Sequence, residues 1–443
     1  MFFALAFFIS GCDKTLDQRL AEAEQAYEAQ EYNRALALSD AILLKKSDFF
    51  AAHRLMARAY VAQGFIQAAL DGLDRVEKKH PNMANPLLKE IAIAIIQRSL
   101  AHENFFVRSS AVKAIGEMGD PGLVHLIVPS MKDPETFVRF FAVESFGQLG
   151  GADALKLIMA AGSDPDGMVR MAAVKVLDEM GRDPNHVVGQ TQRLLASFTN
   201  DADVSVRLFA WAGLARLGDP GAWTTMLETI DQLVSDARIA GVAALGRSRN
   251  ADAAPRLNQY IEDTNHTIRM YAAEAMGEIL DASFYGPLSK ALRDEDPSVR
   301  GAAATSLGKL GNRDAIPLLE TLMNDADAIV RVSAAEGLKR LGQEEAGVYR
   351  AALSETDYGI RHFAIGSLRR TWGRKGMPFL KVALDDKAQR VRIAAIRAIG
   401  EIGDVEALVL LKGALKDPDL SVQTYAAGNI GRLLNQVADE GIS

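Results

Sequence analysis

A chain that repeats one short phrase at a fixed interval is constrained more tightly than composition could constrain it. Each copy must be a unit that buries itself against its neighbours. The phrase is clearest from Asp294 to Gly311, DEDPSVRGAAATSLGKLG. Its arginine, or the residue in its place, recurs as Arg108, Arg139, Arg170, Arg207, Arg238, Arg269, Arg300, Arg331, Arg361, Arg392 and finally Gln423. Eight of the ten intervals are 31 residues, one is 30 and one is 37, so the copies number eleven. A period in this range marks a solenoid of helix pairs.

Within the phrase, Asp296-Pro297 suits a helix start and Gly308 and Gly311 suit its end. Val299, Ala303, Leu307 and Leu310 share one helical face, which must be buried. An alanine stands one turn after the leading valine in ten units (Ala111, Ala142, Ala173, Ala210, Ala272, Ala303, Ala334, Ala364, Ala395 and Ala426), and Gly241 takes its place in the fifth. Small residues there let helices approach closely. The expected fold is therefore all-α: stacked antiparallel helix pairs over 85–437. The length of 443 residues would otherwise suggest about three globular domains. Apolar content of 49% and charged content of 24% fit an ordinary folded chain. A net charge of −7 argues against a general nucleic-acid binder. Cys12 is the sole cysteine, which excludes an intrachain disulfide and a cysteine-rich zinc site.

The units VRSSAVKAIGEMG (from Val107), VRFFAVESFGQLG (Val138), VRMAAVKVLDEMG (Val169), VRVSAAEGLKRLG (Val330) and VRIAAIRAIGEIG (Val391) resemble HEAT repeats, in particular the short type named for the phycobilin lyases. That resemblance implies a right-handed α-solenoid. It also implies that the repeat arginines are structural, bridging to turn aspartates of adjacent units. Asp133, Asp164, Asp201, Asp263, Asp325, Asp386 and Asp417 stand at the matching place. Three departures stand out. The long interval inserts extra residues around RDPNHVVGQ, the fifth unit reads SDARIAGVAALG without the Asp-Pro turn, and Gln423 replaces the last arginine. Gln423 is expected where no further unit needs the bridge. Eleven pairs at about 10 Å each predict an arc near ~100 Å long.

Ahead of the solenoid, AYEAQEYNRAL (from Ala26) is echoed by AYVAQGFIQAA (from Ala59). With Gly64-Phe65, Ala68 and Pro81, this resembles a tetratricopeptide pair over 17–81, with Glu31 replacing the glycine of the first copy. Two such units are expected to pack on the next domain as a cap. The chain opens MFFALAFFISGC, whose apolar run is too short to span a bilayer. Ile9-Ser10-Gly11-Cys12 resembles the lipobox of bacterial lipoprotein signals, although no Lys or Arg precedes the run. The resemblance implies a signal peptide over 1–11, cleavage between Gly11 and Cys12, acylation of Cys12 and a tether over 12–16. Asp13 resembles a signal for retention at the inner membrane. A chance cysteine in an apolar N-terminus is the alternative.

No HExxH, phosphate loop, GxSxG elbow or dinucleotide fingerprint occurs. Deoxyhypusine hydroxylase, an iron enzyme of similar repeats, needs several His-Glu pairs; this chain has one, His102-Glu103. No catalytic residue, metal site, cofactor or small-molecule substrate is expected.

Two surfaces could meet a partner. Counting from the valine of each second helix, the second, sixth and ninth positions lie opposite the presumed buried face. The second-position row contains Phe140, Met171, Leu208, Ile239, Met270, Val332 and Ile393, and the ninth is largely glycine. That combination predicts an apolar groove for a peptide, helix or acyl chain, unless the row packs against the next unit. The second surface lies between Arg361 and Gly400, where ten basic residues face two acids. Arg369, Arg370, Arg374 and Lys375 could there meet an anionic partner, unless acids of neighbouring units balance them. The expected function is a non-enzymatic protein-interaction scaffold, lipid-anchored in the cell envelope on the periplasmic side of the inner membrane. A chaperone-like factor for an unfolded or lipidated client is the alternative, and a lyase-type enzyme a third.

Overall fold

The computed structural model describes residues 14–181, 188–234 and 236–439. The lipobox, with Gly11 and Cys12, and most of the extra residues of the long interval lie outside these. Every element described is helical. Two hairpins come first: α1 (Leu16–Glu28) with α2 (Tyr32–Lys45), and α3 (Phe50–Ala62) with α4 (Ile66–Lys79).

Eleven pairs follow. Their first helices are α5 (Ala84–Leu100), α7 (Val124–Ile127), α9 (Gly151–Ala161), α11 (Val188–Ser197), α13 (Pro220–Gln232) and α15 (Ala254–Tyr260), then α17 (Tyr285–Ala291), α19 (Ile316–Thr321), α21 (Ala346–Leu353), α23 (Met377–Ala383) and α25 (Val405–Ala414). Their second helices, which carry the valine-arginine phrase, are α6 (Phe105–Met118), α8 (Thr136–Leu149), α10 (Gly167–Met180), α12 (Val204–Arg216) and α14 (Asp236–Ser248), then α16 (His266–Ile279), α18 (Pro297–Leu310), α20 (Ala328–Arg340), α22 (Tyr358–Thr371), α24 (Gln389–Ile402) and α26 (Leu420–Asp439).

Asparagine or aspartate caps most of the second helices, as Asp296 does by accepting from the Ser298 amide. Each second helix packs directly on that of the next unit, whereas the first helices scarcely touch one another. Close packing in one layer and splaying in the other make an inner wall and an outer one. The leading valines Val138, Val169, Val206, Val299, Val330 and Val391 are fully buried, with the alanines one turn on.

The arc predicted from the repeat count does not stay open. α26 packs on α6 as closely as any sequence neighbours pack, and also on α5, so the eleventh unit treats the first as its successor. A Cβ at Gly428 would lie 2.7 Å from the Ala114 carbonyl oxygen across this seam. Ser99 Oγ lies 2.7 Å from Thr424 Oγ1, and Lys89 Nζ donates to Asn435 Oδ1 at 2.7 Å. The eleven inner helices therefore form a closed ring. The N-terminal hairpins cap it beside the seam: α3 and α4 pack on α5, and Lys412 of α25 reaches Glu77 of α4 at 3.0 Å.

Closure also changes the meaning of Gln423. A further unit does follow, but with Gln423 at the repeat position no repeat arginine bridges the seam. Gln423 donates to the Asp417 carbonyl at 2.7 Å, and His102 accepts from the Asn104 amide as turn aspartates do elsewhere.

Between other units the bridge is regular. Arg300 meets both carboxylate oxygens of Asp325 at 2.8 and 2.9 Å and donates to the carbonyls of Asp294 and Glu295 in its own turn. The same aspartate caps its own turn by accepting from the Asp327 amide. Arg108, Arg139, Arg170, Arg361 and Arg392 repeat this with Asp133, Asp164, Asp201, Asp386 and Asp417. Arg269 does so with Asp294, a partner the sequence reading passed over.

The exceptions cluster. Among the described residues Arg207 donates to the carbonyls of Asp201 and Ala202 and meets no turn aspartate of the fifth unit. Arg238 stands 3.6 Å from Asp263, and Arg331 stands 3.5 Å from Glu355. The apolar core divides in the same regions. One core runs from the hairpins through the first units and, across the seam, the last ones. The other fills the units between. They meet at α12 and α20, each of which gives one face to either core.

Candidate functional site

The inner wall decides which side chains a partner could touch. In a closed ring each inner helix is flanked on both sides. The second and ninth positions therefore lie in helix–helix contacts, and the third, sixth and tenth face the centre. Leu208 and Val332 are fully buried; Phe140, Met171, Ile239, Met270 and Ile393 are half-buried against the two cores. The predicted exposed apolar row is thus corrected: it is packing. The glycines permit that packing, since a Cβ at Gly246 would lie 2.8 Å from the Ala275 Cα of the next helix. Of the apolar residues named in the row, Met270 also lines the central cavity.

The expected cationic patch is corrected as well, because acids from neighbouring units meet all four side chains. Arg369 pairs with Glu401 at 2.7 Å, Arg374 with Asp404 at 3.2 Å and Lys375 with Glu344 at 2.7 Å. Hydrogen bonds from Lys339 and Lys375 pull the Glu344 carboxyl down to about 2. Arg370 belongs to the inner wall, where it binds the fully buried Glu336 at 2.7 Å.

The inner wall has its own recurrent chemistry. Lys113 Nζ stands 4.6 Å over the Phe141 ring, Lys175 Nζ 5.1 Å over Phe209, and the Arg397 guanidinium 5.9 Å over Tyr425. In each case a cation at the sixth position faces an aromatic ring at the third position of the next unit, an electrostatically favourable pairing. Burial lowers the pKa of Lys113 and Lys175, and the nearby guanidiniums of Arg397 and Arg247 add to this. Burial raises the carboxyls of Glu144 and Glu274.

Two buried acids mark the joints between the cores. Asp178 is fully buried and meets Arg216 at 2.6 Å and Arg247 at 2.9 Å, from the next two units. Glu336, equally buried, meets Arg370 and, at 3.2 Å, Arg340. Burial pushes the Glu336 carboxyl up, and the Arg370 hydrogen bonds bring it below its usual range. A buried carboxylate is tolerated only with such partners.

Between these joints the wall recedes into a cavity of about 710 Å³. Small residues such as Ala243, Ala302 and Ser333 form its floor. Phe209, Tyr271 and Phe363 supply apolar surface, Lys175 and Arg370 stand at its two ends, and Glu274 lies between. The arrangement offers apolar contact and both signs of charge to a bound chain. Among the described residues no group of three His, Cys, Asp or Glu could hold a metal ion, and no helix is long and apolar enough to cross a membrane.

The sequence reading placed the sixth position on the open side, but set it with the second and ninth instead of the third and tenth. The signal was present in the third, sixth and tenth columns of the repeat, where Lys113, Glu144 and Lys175 recur at the unit spacing. Asp178 likewise interrupts the glycine column at a position where a surface acid would have no reason to sit.

The family described as HEAT repeats matches residues 92–178, 285–348 and 347–430. No curated protein matches the chain. Among solved structures it is similar to a chain of the phycocyanin lyase complex from Nostoc, at 20% identity and a TM-score of 0.37, covering 54% of this chain and 93% of that one. Human deoxyhypusine hydroxylase is similar at 19% identity and 0.29, covering 59% and 99%. A chain of a Kap95p–RanGDP structure is similar at 13% and 0.34, covering 95% and 66%.

Proposed function

Since the chain belongs to the HEAT-repeat family, whose members typically bind proteins, we propose that it is a non-enzymatic interaction scaffold of the bacterial cell envelope that holds a partner protein against its inner wall. The observation that carries this is the cavity between the two joints, with its small-residue floor, aromatic flanks and charges of both signs. Such a surface suits a polypeptide segment better than a small polar substrate, which would need convergent polar groups in an enclosed site.

The anchoring part of the proposal rests on the lipobox-like Ile9-Ser10-Gly11-Cys12. Acyl chains on Cys12 would hold the protein at the periplasmic side of the inner membrane, each buried CH₂ contributing about 0.8 kcal/mol. Replacing Cys12 with serine should move the protein from the membrane fraction to the soluble one. Retention in the membrane would reject the anchor.

Affinity purification of the anchored protein, with mass spectrometry, tests the scaffold. A stoichiometric partner that is lost on Ala302→Trp, with the fold intact, supports the reading. A heterogeneous set of clients would favour the accessory-factor alternative. Turnover of a small molecule by the pure protein would overturn both.

A further inference from the structure

The N-terminal hairpins carry a second cavity, away from the inner wall of the ring. It lies between α2 and α4, floored by α3 and closed by Leu87 of α5, with a volume of about 360 Å³. The cleft is open because α4 presents Ala68 and Gly72 there, too small to fill the space. Its apolar lining includes Leu43, Met56 and Tyr60, and Leu44, which also lines it, is 88% exposed. Leucine at that exposure on an ordered helix buries nothing within this chain.

The charge around the cleft is one-sided. Arg75, Lys79 and His80 line it, with Asp40 as the one carboxylate among the lining residues. The Arg75 guanidinium folds to within 4.0 Å of where a Cβ at Gly72 would stand, beside the cleft. Among the described residues neither Arg75 nor Lys79 has an ion-pair or hydrogen-bond partner, and the buried Nε2 of His80 has none. The ring treats its cations otherwise: Lys309 and Lys375, for example, each meet a glutamate of a neighbouring unit. Arg75 and Lys79 are one turn apart on α4, so they lie along the cleft on one side of it.

We propose that the α2–α4 cleft docks a short acidic–apolar segment of a partner protein. An apolar side chain of that segment enters against Leu43, Leu44 and Met56, and its side-chain carboxylates meet Arg75, Lys79 and His80. Complementarity of charge selects this occupant over a neutral or basic one.

The test uses the full chain and a fluorescein-labelled peptide, blocked at both ends, of alternating glutamate and leucine. Fluorescence anisotropy should show binding that weakens as salt rises. Replacing the peptide's glutamates with glutamine should weaken it at least about tenfold, as should the double variant R75E/K79E. Leu44→Asp should weaken it too, and circular dichroism should confirm that each variant is folded. Failure of the glutamate peptide to bind, or equal binding of the glutamine peptide, would overturn the proposal. So would unchanged binding to R75E/K79E. Laurate binding in the cleft without peptide binding would reassign it to a lipid.

Discussion

Arg397 Nε lies 2.7 Å from Glu117 Oε1 although 280 residues separate them in sequence. The arginine belongs to α24 and the glutamate to α6, so the pair spans the intervening α26. On its way the guanidinium lies over the Tyr425 ring of α26, and Gly428, at the sixth position of α26, lets that helix approach the Ala114 backbone of α6. Arg247 likewise passes over Ala212, reaching the Lys175 carbonyl at 3.0 Å and Glu179 at 3.3 Å two units away. Arg397 reaches two units forward and Arg247 two units back, each past a helix whose sixth position, Gly428 or Ala212, is small.

The seam predicts its own weak point. Gly428→Leu would place side-chain atoms where Ala114 already lies and should part α26 from α6. Small-angle scattering should show a larger radius of gyration with helical content retained. An unchanged radius and melting temperature would contradict the closed ring.

Arginine bridges should differ in strength by partner. Arg300→Ala strands Asp325 with its guanidinium partner gone and should cost about 3 kcal/mol. Arg207→Ala removes a side chain whose partners among the described residues are carbonyls and should cost about 1 kcal/mol. Denaturant midpoints of the two variants check the order; equal losses would show that the carboxylate adds nothing.

The buried joint at Glu336 should be sensitive to charge. Glu336→Ala leaves Arg370 and Arg340 without their shared acceptor and should destabilise the chain by about 3 kcal/mol. Replacing all three residues with apolar ones of similar size should recover most of the loss, since a well-packed apolar joint needs no compensating charge. Thermal melts of the single and triple variants distinguish the two.

Acid should loosen the stack. Hydrogen bonds from Arg170, Arg300 and Arg361 hold the carboxyls of Asp201, Asp325 and Asp386 below their ordinary range. At Asp133, Asp164 and Asp294 burial works upward and the paired arginine still brings the net value down. A depressed folded-state value means stability that is fully present above the unfolded pKa, about 3.9 for aspartate, and lost as pH falls through the folded one. Melting temperature should therefore drop below about pH 4. Glu274 has the opposite sign: burial raises its carboxyl, so its charge costs stability at neutral pH. Glu274→Gln should raise the melting temperature at pH 8 and leave it unchanged at pH 3, where both forms are neutral.

Much of the fold was legible in the residues. Val299, Ala303 and Leu307 declare the buried face of a unit, Asp296-Pro297 its start, and the spacing of arginines the number of units. Most of the arginine bridges could be anticipated too; Asp294 and Glu355 were not among the expected partners, and the anticipated Asp263 stands off from Arg238 at 3.6 Å. What escaped was which faces are left over. The second-position row looked exposed because a single unit leaves it so, and only a neighbour on each side covers Leu208 and Val332. The charges of Arg369, Arg374 and Lys375 looked excessive because their acids, Glu401, Asp404 and Glu344, belong to adjacent units.

The sequence by itself determined the helical hairpin, its repetition and the contacts between consecutive units, because those depend on residues a few turns or one period apart. Only the tertiary structure decided that the row closes on itself and that the third and tenth positions, not the second and ninth, join the sixth at the central cavity. The turn from each unit to the next is a small rotation set by side-chain size along the inner contact. Its sum over eleven units brings α26 against α6, a relation no local pattern encodes.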